Sequence, residues 1–599
     1  MSGWLHLSST VPTLSGPLSS PTTHGIMQRF WVLLLLTGLL PCSSAVAQPT
    51  ALVGPTALNP ADSTVIADAT ILIRGDEIAA VGPSGDVTVP DDATVHEMPN
   101  KYVMPGLIDG HVHFFQSGGL YTRPDVLDLR AKRPYAEELR RIKERLPDTF
   151  RRYLRSGVTS VVDVGGPMWN LDVRARADTT AMAPTVAVAG PLISSVERPS
   201  LDEGDPPILQ ITTPEAARKE VHEQIIAGVD LVKIWYIVRQ GETPADYRPV
   251  VEATIDEAHN AGIRVAVHAT ELKTARAAVE AGADVLVHSV FNKPVDDAFV
   301  RLLRENDVLY IPTLMVRERY RETFAQQLDL TTAEHRLGQK DVIASLFDLR
   351  TLPDSLVPPE LRQRIQQAPA TPSDTVAMRN LKRLHGAGVP IAAGTDAGNI
   401  GTPHGPALVR EFELMRTAGL APQEILATAT AGGARLLGRD DLGQLKPDMQ
   451  ADLVVLDKNP FADVTNATSI HRIVKGGRVY VPDSLVPRMP EVVVQQGANA
   501  FNAHDLGGFL DAFAPDLKVY AHPDSLVMDG RSALREQYAS AFQTATQLHV
   551  EVHHTAPIGN TVALHETIRG TPETESLEQV VLYRVTDGAI NRVWLVQEE

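Results

Sequence analysis

Histidine occurs twice in Gly110-His111-Val112-His113 and recurs where two apolar runs end, His268 after Val265-Ala266-Val267 and His288 after Val285-Leu286-Val287. Residues two apart on a strand share a face, so His111 and His113 stand side by side. Such an imidazole pair suits Zn, Ni, Fe or Mn. Asp396, following Ala392-Ala393-Gly394-Thr395, offers a carboxylate at a comparable position. Lys233, inside Val232-Lys233-Ile234-Trp235, is the unusual member of the set. Burial opposes the charge of a lysine in an apolar strand and favours the neutral amine. A neutral amine adds carbon dioxide to give a carbamate, a two-oxygen anion able to bridge two metal ions.

These groups act together only if their strands converge. Apolar runs at 158–165, 184–190, 230–235, 264–268, 284–288, 308–312 and 389–395 follow the His-x-His strand, with helical patterns such as Tyr135–Arg155, 248–261 and 272–281 between them. Eight strands alternating with helices over residues 105–438 predict a parallel α/β architecture, and eight strands close a TIM (β/α)8 barrel. Catalytic groups in that architecture come from the C-terminal ends of several strands, where the candidates above lie. Residues 316–370 are too many for one crossover and are expected to form an inserted lid or helical excursion near the mouth.

The flanks have another texture. Short alternating runs separated by Gly, Pro and Asp turns fill 48–104 and return in 439–485, as expected of one composite β-sandwich. After the Pro-rich stretch 481–490, residues 491–599 predict a separate α+β domain, with helices at 495–513 and 531–542 and strands across 547–597.

A net charge of −18 argues against a nucleic-acid partner, which needs a basic surface. Arg29, the apolar run Phe30 to Leu40 and Ala45-Val46-Ala47 read as a secretory signal peptide within an N-terminal segment 1–47, of which residues 1–26 look like an upstream extension. The expectation is export to the periplasm or medium, with no integral span after cleavage. The sole cysteine, Cys42, falls within that segment, and Pro41 before it is a poor fit to a lipoprotein site. A disulfide scaffold, a thiol nucleophile and a Cys-ligated metal are thereby excluded from the remainder.

Together, Pro-Gly-Leu-Ile-Asp-Gly-His-Val-His, Val-Lys-Ile, Val-His-Ala, Val-His-Ser and Gly-Thr-Asp resemble the metal-dependent amidohydrolase superfamily over residues 50 to 485, in its imidazolonepropionase-related and Xaa-Pro dipeptidase-like branch. The resemblance implies two divalent metal ions, with zinc expected. His111, His113, Lys233 and Asp396 would hold one, and carboxylated Lys233, His268 and His288 the other. Two such ions would provide hydroxide at neutral pH and polarise a carbonyl, with Asp396 moving the proton to the leaving nitrogen. Trp235, Tyr236 and His404 are candidates to line the substrate pocket.

Residues 491–599 resemble the NTF2-like (SnoaL-like) cone fold, whose members bind small molecules, isomerise them or dimerise, so a homo-oligomer is compatible with this module. The expected activity is hydrolysis of a C–N bond in a small amide, dipeptide or cyclic amide. The alternatives are an esterase or lactonase at the same site, and a small-molecule-binding protein without catalysis.

Overall fold

Parallel pairing carries one barrel wall into the next. In the computed structural model, which describes residues 48–350, 352–359, 375–545, 547–571 and 576–596, the strands Leu107–Val112, Val158–Asp163 and Thr185–Val188 form one parallel arc. Val232–Trp235, Val265–His268, Val285–Val287 and Leu309–Ile311 form another. Parallel bridges Ala189↔Leu231, Tyr310↔Ile391 and Val112↔Ala397 join the arcs through residues 391–397, which complete the ring as its eighth stave. The segment 1–47, where the signal peptide is expected, lies outside the described residues.

That last stave is not the regular strand expected over 389–395; it makes isolated bridges instead. Pro390 has no N–H to give a ladder, though its carbonyl accepts from Tyr310 N at 2.9 Å. Glycines then allow the first and last staves to approach closely. A Cβ on Gly394 would lie 2.8 Å from His111 Cβ, and one on Gly110 would lie 2.8 Å from Ala393 O.

Strand parity places the chemistry. Val232, Ile234, Val265, Val267, Leu286 and Tyr310 pack outward in the same core as Val251 and Phe299 of the surrounding helices Pro244–Asn260 and Asp297–Glu305. Leu231, Ala266, Val285, Val287, Leu309 and Ile311 form an apolar plug inside the barrel. Since side chains alternate, the parity that buries Leu231 turns Lys233 inward, and that of Ala266 does so for His268.

The flanking segments share a sheet. Tyr102–Pro105 pairs antiparallel with Leu453–Leu456, which continues to Ile470–Lys475 and Arg478–Tyr480. A second sheet, built from Thr50–Val53, Ala69–Arg74, Glu77–Pro83 and Thr94–Glu97, faces it. Leu52, Ile71, Val103, Leu453 and Val455 fill the space between, all fully buried.

The C-terminal region is a curved sheet of Phe513–Ala521, Ser525–Asp529, His549–Ile558, Thr561–Arg569, Ser576–Thr586 and Ala589–Val596, packed against helices Pro490–Asn502, Leu506–Asp511 and Arg531–Thr544. The single helix expected over 495–513 is corrected to two shorter ones, broken where His504 takes a φ of 57°. Phe513 begins a strand, its ring packing on Phe509 at 5.0 Å.

Within the described residues, the excursion after the seventh stave is helical, with Leu314–Ala325, Thr332–Leu337 and Lys340–Ser345. Its pivot is Arg319, fully buried and paired to Glu322 at 2.7 Å and Glu334 at 2.6 Å. Its first helix is anchored by Glu411, whose carboxylate accepts from Leu314 N and Met315 N at 2.9 Å each. Glu411→Ala strands two buried N–H donors, so it should lower the unfolding free energy by about 2–4 kcal/mol, and Glu411→Gln by less. Urea denaturation measures this; an unchanged midpoint for the alanine variant would contradict the anchoring role.

Candidate metal centre

The inward parity of the first stave and the turn after the eighth bring three donor atoms together. His111 Nε2, His113 Nε2 and Asp396 Oδ1 form a triangle with sides of 3.3, 3.4 and 3.2 Å, all on buried residues. Two imidazole lone pairs and a carboxylate oxygen this close need a cation or proton between them. The cluster continues through His288, whose ring centroid lies 4.8 Å from that of His111 and 4.5 Å from that of His268.

Lys233 sits in the same layer with 1% exposure, and its Nζ has no hydrogen-bond partner. Burial pushes its amine down to about 7, although Asp396 and Asp163 favour the charged form. Burial also pushes His111 and His268 well below the ordinary imidazole range and His288 down to about 3. Neutral imidazoles and a near-neutral amine are the ligating forms. Burial works against ionisation of Asp396, but the surrounding His111, His113 and His288 hold its carboxyl well below the usual range. The donor set, with His111 Nδ1 and Lys233 Nζ also left without partners, fits divalent metal binding.

Neighbouring groups fix the orientation of these donors. His113 Nδ1 donates to Gly165 O at 2.7 Å, which leaves the Nε2 lone pair facing the triangle. Asp163 accepts from Phe114 N and Gly165 N, holding that turn. Asp109 accepts from Thr395 Oγ1 at 2.7 Å and ties the first stave to the segment carrying Asp396. Asn399 Nδ2 donates to Asp396 Oδ1 at 2.7 Å, while Arg123 Nη1 and Tyr320 OH donate to Asn399 Oδ1 at 2.6 and 2.8 Å. His288, Thr313 and Asp396 hold φ values of 74°, 41° and 60°, so the ends of three staves are in the left-handed region. Strain of this kind at side chains that face one site points to function.

Above the cluster opens a cavity of about 420 Å³, walled by Leu192, Leu201, Ile208, Trp235, Phe291 and Leu314, with Arg123, Arg317, Tyr320 and Asn399 as polar lining. Lys233, His113, His268, His288 and Asp396 form its base. Of the three expected substrate-lining residues, Trp235 lies on the cavity, with Arg198 stacked over its indole at 4.8 Å. Tyr236 does not: parity turns it to the outer core, where its hydroxyl donates to Pro244 O. His404 is also off the cavity wall. It stacks on Phe114, donates from Nε2 to Gln116 O at 2.8 Å and accepts at Nδ1 from Tyr153 OH at 2.7 Å. Arg123, Tyr320, Asn399 and Arg317 escaped sequence reasoning because they lie on irregular or inserted segments; only Asn399, three residues beyond Asp396 in the Gly-rich turn, carried a usable signal.

Two family models match the sequence directly. Residues 102–480 match the amidohydrolase family and residues 494–593 the SnoaL-like domain. The chain belongs to the amidohydrolase family and is a hydrolase acting on carbon–nitrogen bonds. It is 25% identical over 471 residues to ochratoxinase of Aspergillus niger, spanning 72% of this chain and 86% of that one. It is 25% identical over 419 residues to imidazolonepropionase of Cutibacterium acnes, spanning 69% and 90%. In fold it resembles the crystal structure of A. niger ochratoxinase, with a TM-score of 0.55, 21% identity and coverage of 72% and 96%. It likewise resembles a Xaa-Pro dipeptidase with bound methionine, with a TM-score of 0.53, 22% identity and coverage of 72% and 100%.

Burial holds the His404 imidazole down to about 4, against an ordinary value of 6.5. Its folded-state pKa is depressed, so the unfolded chain takes up the proton first as pH falls. The stabilisation is therefore complete above 6.5 and is lost as pH drops towards about 4. The stability gap between wild type and His404→Gln should shrink by about 2 kcal/mol from pH 7 to pH 5. Denaturant titrations at the two pH values measure it; a constant gap would contradict a buried neutral imidazole.

Proposed function

We propose that the protein is an exported binuclear metal-dependent amidohydrolase that cleaves the C–N bond of a small amide, dipeptide or cyclic amide. The observation that carries the binuclear reading is the Lys233 amine, buried without a partner among His268, His288 and Asp396. An aliphatic residue would fill that position with no desolvation cost. A neutral amine can add carbon dioxide with loss of a proton, and a carbamate on Lys233 would supply anionic oxygen donors to the site. His111, His113 and Asp396 would hold the first ion with it, and His268 and His288 the second; zinc suits this nitrogen and oxygen set. When bound, the ions supply an acidified water as nucleophile and polarise the scissile carbonyl.

The chain's own residues do the rest. Asp396 Oδ1 faces His111, His113 and Asn399, which leaves Oδ2 to accept the proton of the attacking water and return it to the leaving nitrogen. Asn399, held by Arg123 and Tyr320, keeps the carboxylate from rotating between those tasks. Trp235, Phe291, Leu192 and Ile208 exclude water and receive an apolar substrate body. Two curated relatives, ochratoxinase and imidazolonepropionase, support a small-molecule substrate. Export rests on the Arg29, Phe30 to Leu40 and Ala45-Val46-Ala47 pattern.

Purified protein is expected to contain about two divalent ions per chain. Lys233→Ala and Asp396→Asn should each lower turnover of an amide panel by on the order of a thousandfold or more. Elemental analysis and assays on matched amides and esters check this. Full activity in both variants, or turnover confined to the esters, would overturn the assignment.

A further inference from the structure

The outer face of the C-terminal sheet carries imidazoles that the hydrolytic site does not use. On the strand Thr561–Arg569, Val562 and Leu564 point into the domain core, so alternation turns His565 and Thr567 to the opposite face. Val581 of the next strand also faces the core, which puts Glu578 on that outer face, opposite Thr567 in the ladder. The edge strand His549–Ile558 contributes through a bulge. Val552 pairs with Glu566 and His554 with His565, so His553 is the extra residue. A bulge re-aims side chains, and this one brings two consecutive exposed histidines beside His565.

The spacing is that of ligands around one ion. Ring centroids of His553 and His565 lie 4.9 Å apart, and those of His554 and His565 6.0 Å. Among the barrel histidines the corresponding separations are 4.5, 4.8 and 5.1 Å. The outer nitrogens are held as they are in a ligating imidazole. His565 Nε2 donates to Glu578 Oε1 at 2.7 Å, and a carboxylate can only accept, so the Nδ1 lone pair of His565 is left for a ligand. Donation from His553 Nε2 to the buried Thr567 hydroxyl at 2.8 Å sets the same tautomer there. His113 in the barrel follows this pattern too, with one ring nitrogen held by an oxygen acceptor and the other facing the donor cluster. His554 is exposed and can turn its ring towards the other two. Arg569, further along the same strands, is answered by Glu551 at 3.1 Å and does not oppose a bound cation.

We propose that His553, His554 and His565 form a second metal site, which takes one divalent ion of the imidazole-preferring class, zinc, nickel or copper, with Glu578 and Thr567 orienting two of the rings. Bound there, the ion ties the edge strand, which has a ladder partner on one side only, to its neighbour. The site lies on the SnoaL-like domain and shares no residue with the barrel centre.

Zinc alone is the probe, added to the full chain already loaded at its barrel centre. At micromolar free zinc, the wild type should take up about one ion per chain more than His565→Ala, counted by elemental analysis after equilibrium dialysis. This is a difference between two proteins with the same barrel, so it holds whether that centre carries one ion or two, and it should persist when both also carry Lys233→Ala. Glu578→Gln should weaken the uptake by about tenfold to a hundredfold. Amide hydrogen exchange across His549–Ile558 should slow on adding zinc to the wild type and stay unchanged in His554→Ala. Equal uptake by wild type and His565→Ala, or a difference seen only at millimolar zinc, overturns the proposal. Edge-strand exchange that ignores zinc in the wild type overturns it as well.

Discussion

The site depends on placing a lysine amine where water cannot reach it. Lys233 stands one strand step above Leu231 of the apolar plug, so the same alternation that fills the barrel interior carries the amine inward and strips its solvent. Desolvation then sets the chemistry of the whole layer. The amine is poised near neutrality, the imidazoles around it are kept unprotonated, and Asp396 remains as the anion among them.

Position in this layer is controlled by backbone as much as by side chains. Gly110 and Gly394 let the first and last staves approach, which brings His111 and Asp396 from opposite ends of the barrel sequence to within 3.4 Å. The left-handed turns at His288, Thr313 and Asp396 aim side chains across the mouth instead of along the strand. The network from Arg123 and Tyr320 through Asn399 to Asp396 then joins the excursion to the metal centre. Since the excursion also packs on the C-terminal domain, through bonds such as Gln496 Nε2 to Arg336 O at 2.6 Å, the SnoaL-like module is part of the scaffold behind the active-site wall.

Much of this was legible in the sequence because strand ends in a parallel barrel are marked by period and polarity. His111, His113, Lys233, His268, His288 and Asp396 could each be read as the polar termination of an apolar run, and the structure gathers them at one rim. Tyr236 was misplaced by a single step of the alternation, which separates the cavity from the outer core. His404 lies on a loop, where no period constrains direction, and its ring is committed to Tyr153 and Gln116. Arg123, Arg317 and Tyr320 reach the cavity only through tertiary packing of segments that local pattern does not orient. The paired sheets of the sandwich were visible as texture, whereas the pairing of Val103 with Val455 is a long-range contact that local propensity cannot specify.

The binuclear reading stands or falls on the chemical state of Lys233. Carbon-13 NMR of metal-loaded protein prepared with labelled bicarbonate addresses it directly. A carbamate carbon resonance is expected in the wild type and should be absent from Lys233→Met. Active, metal-loaded wild-type protein without that resonance would contradict the bridging role assigned to the lysine.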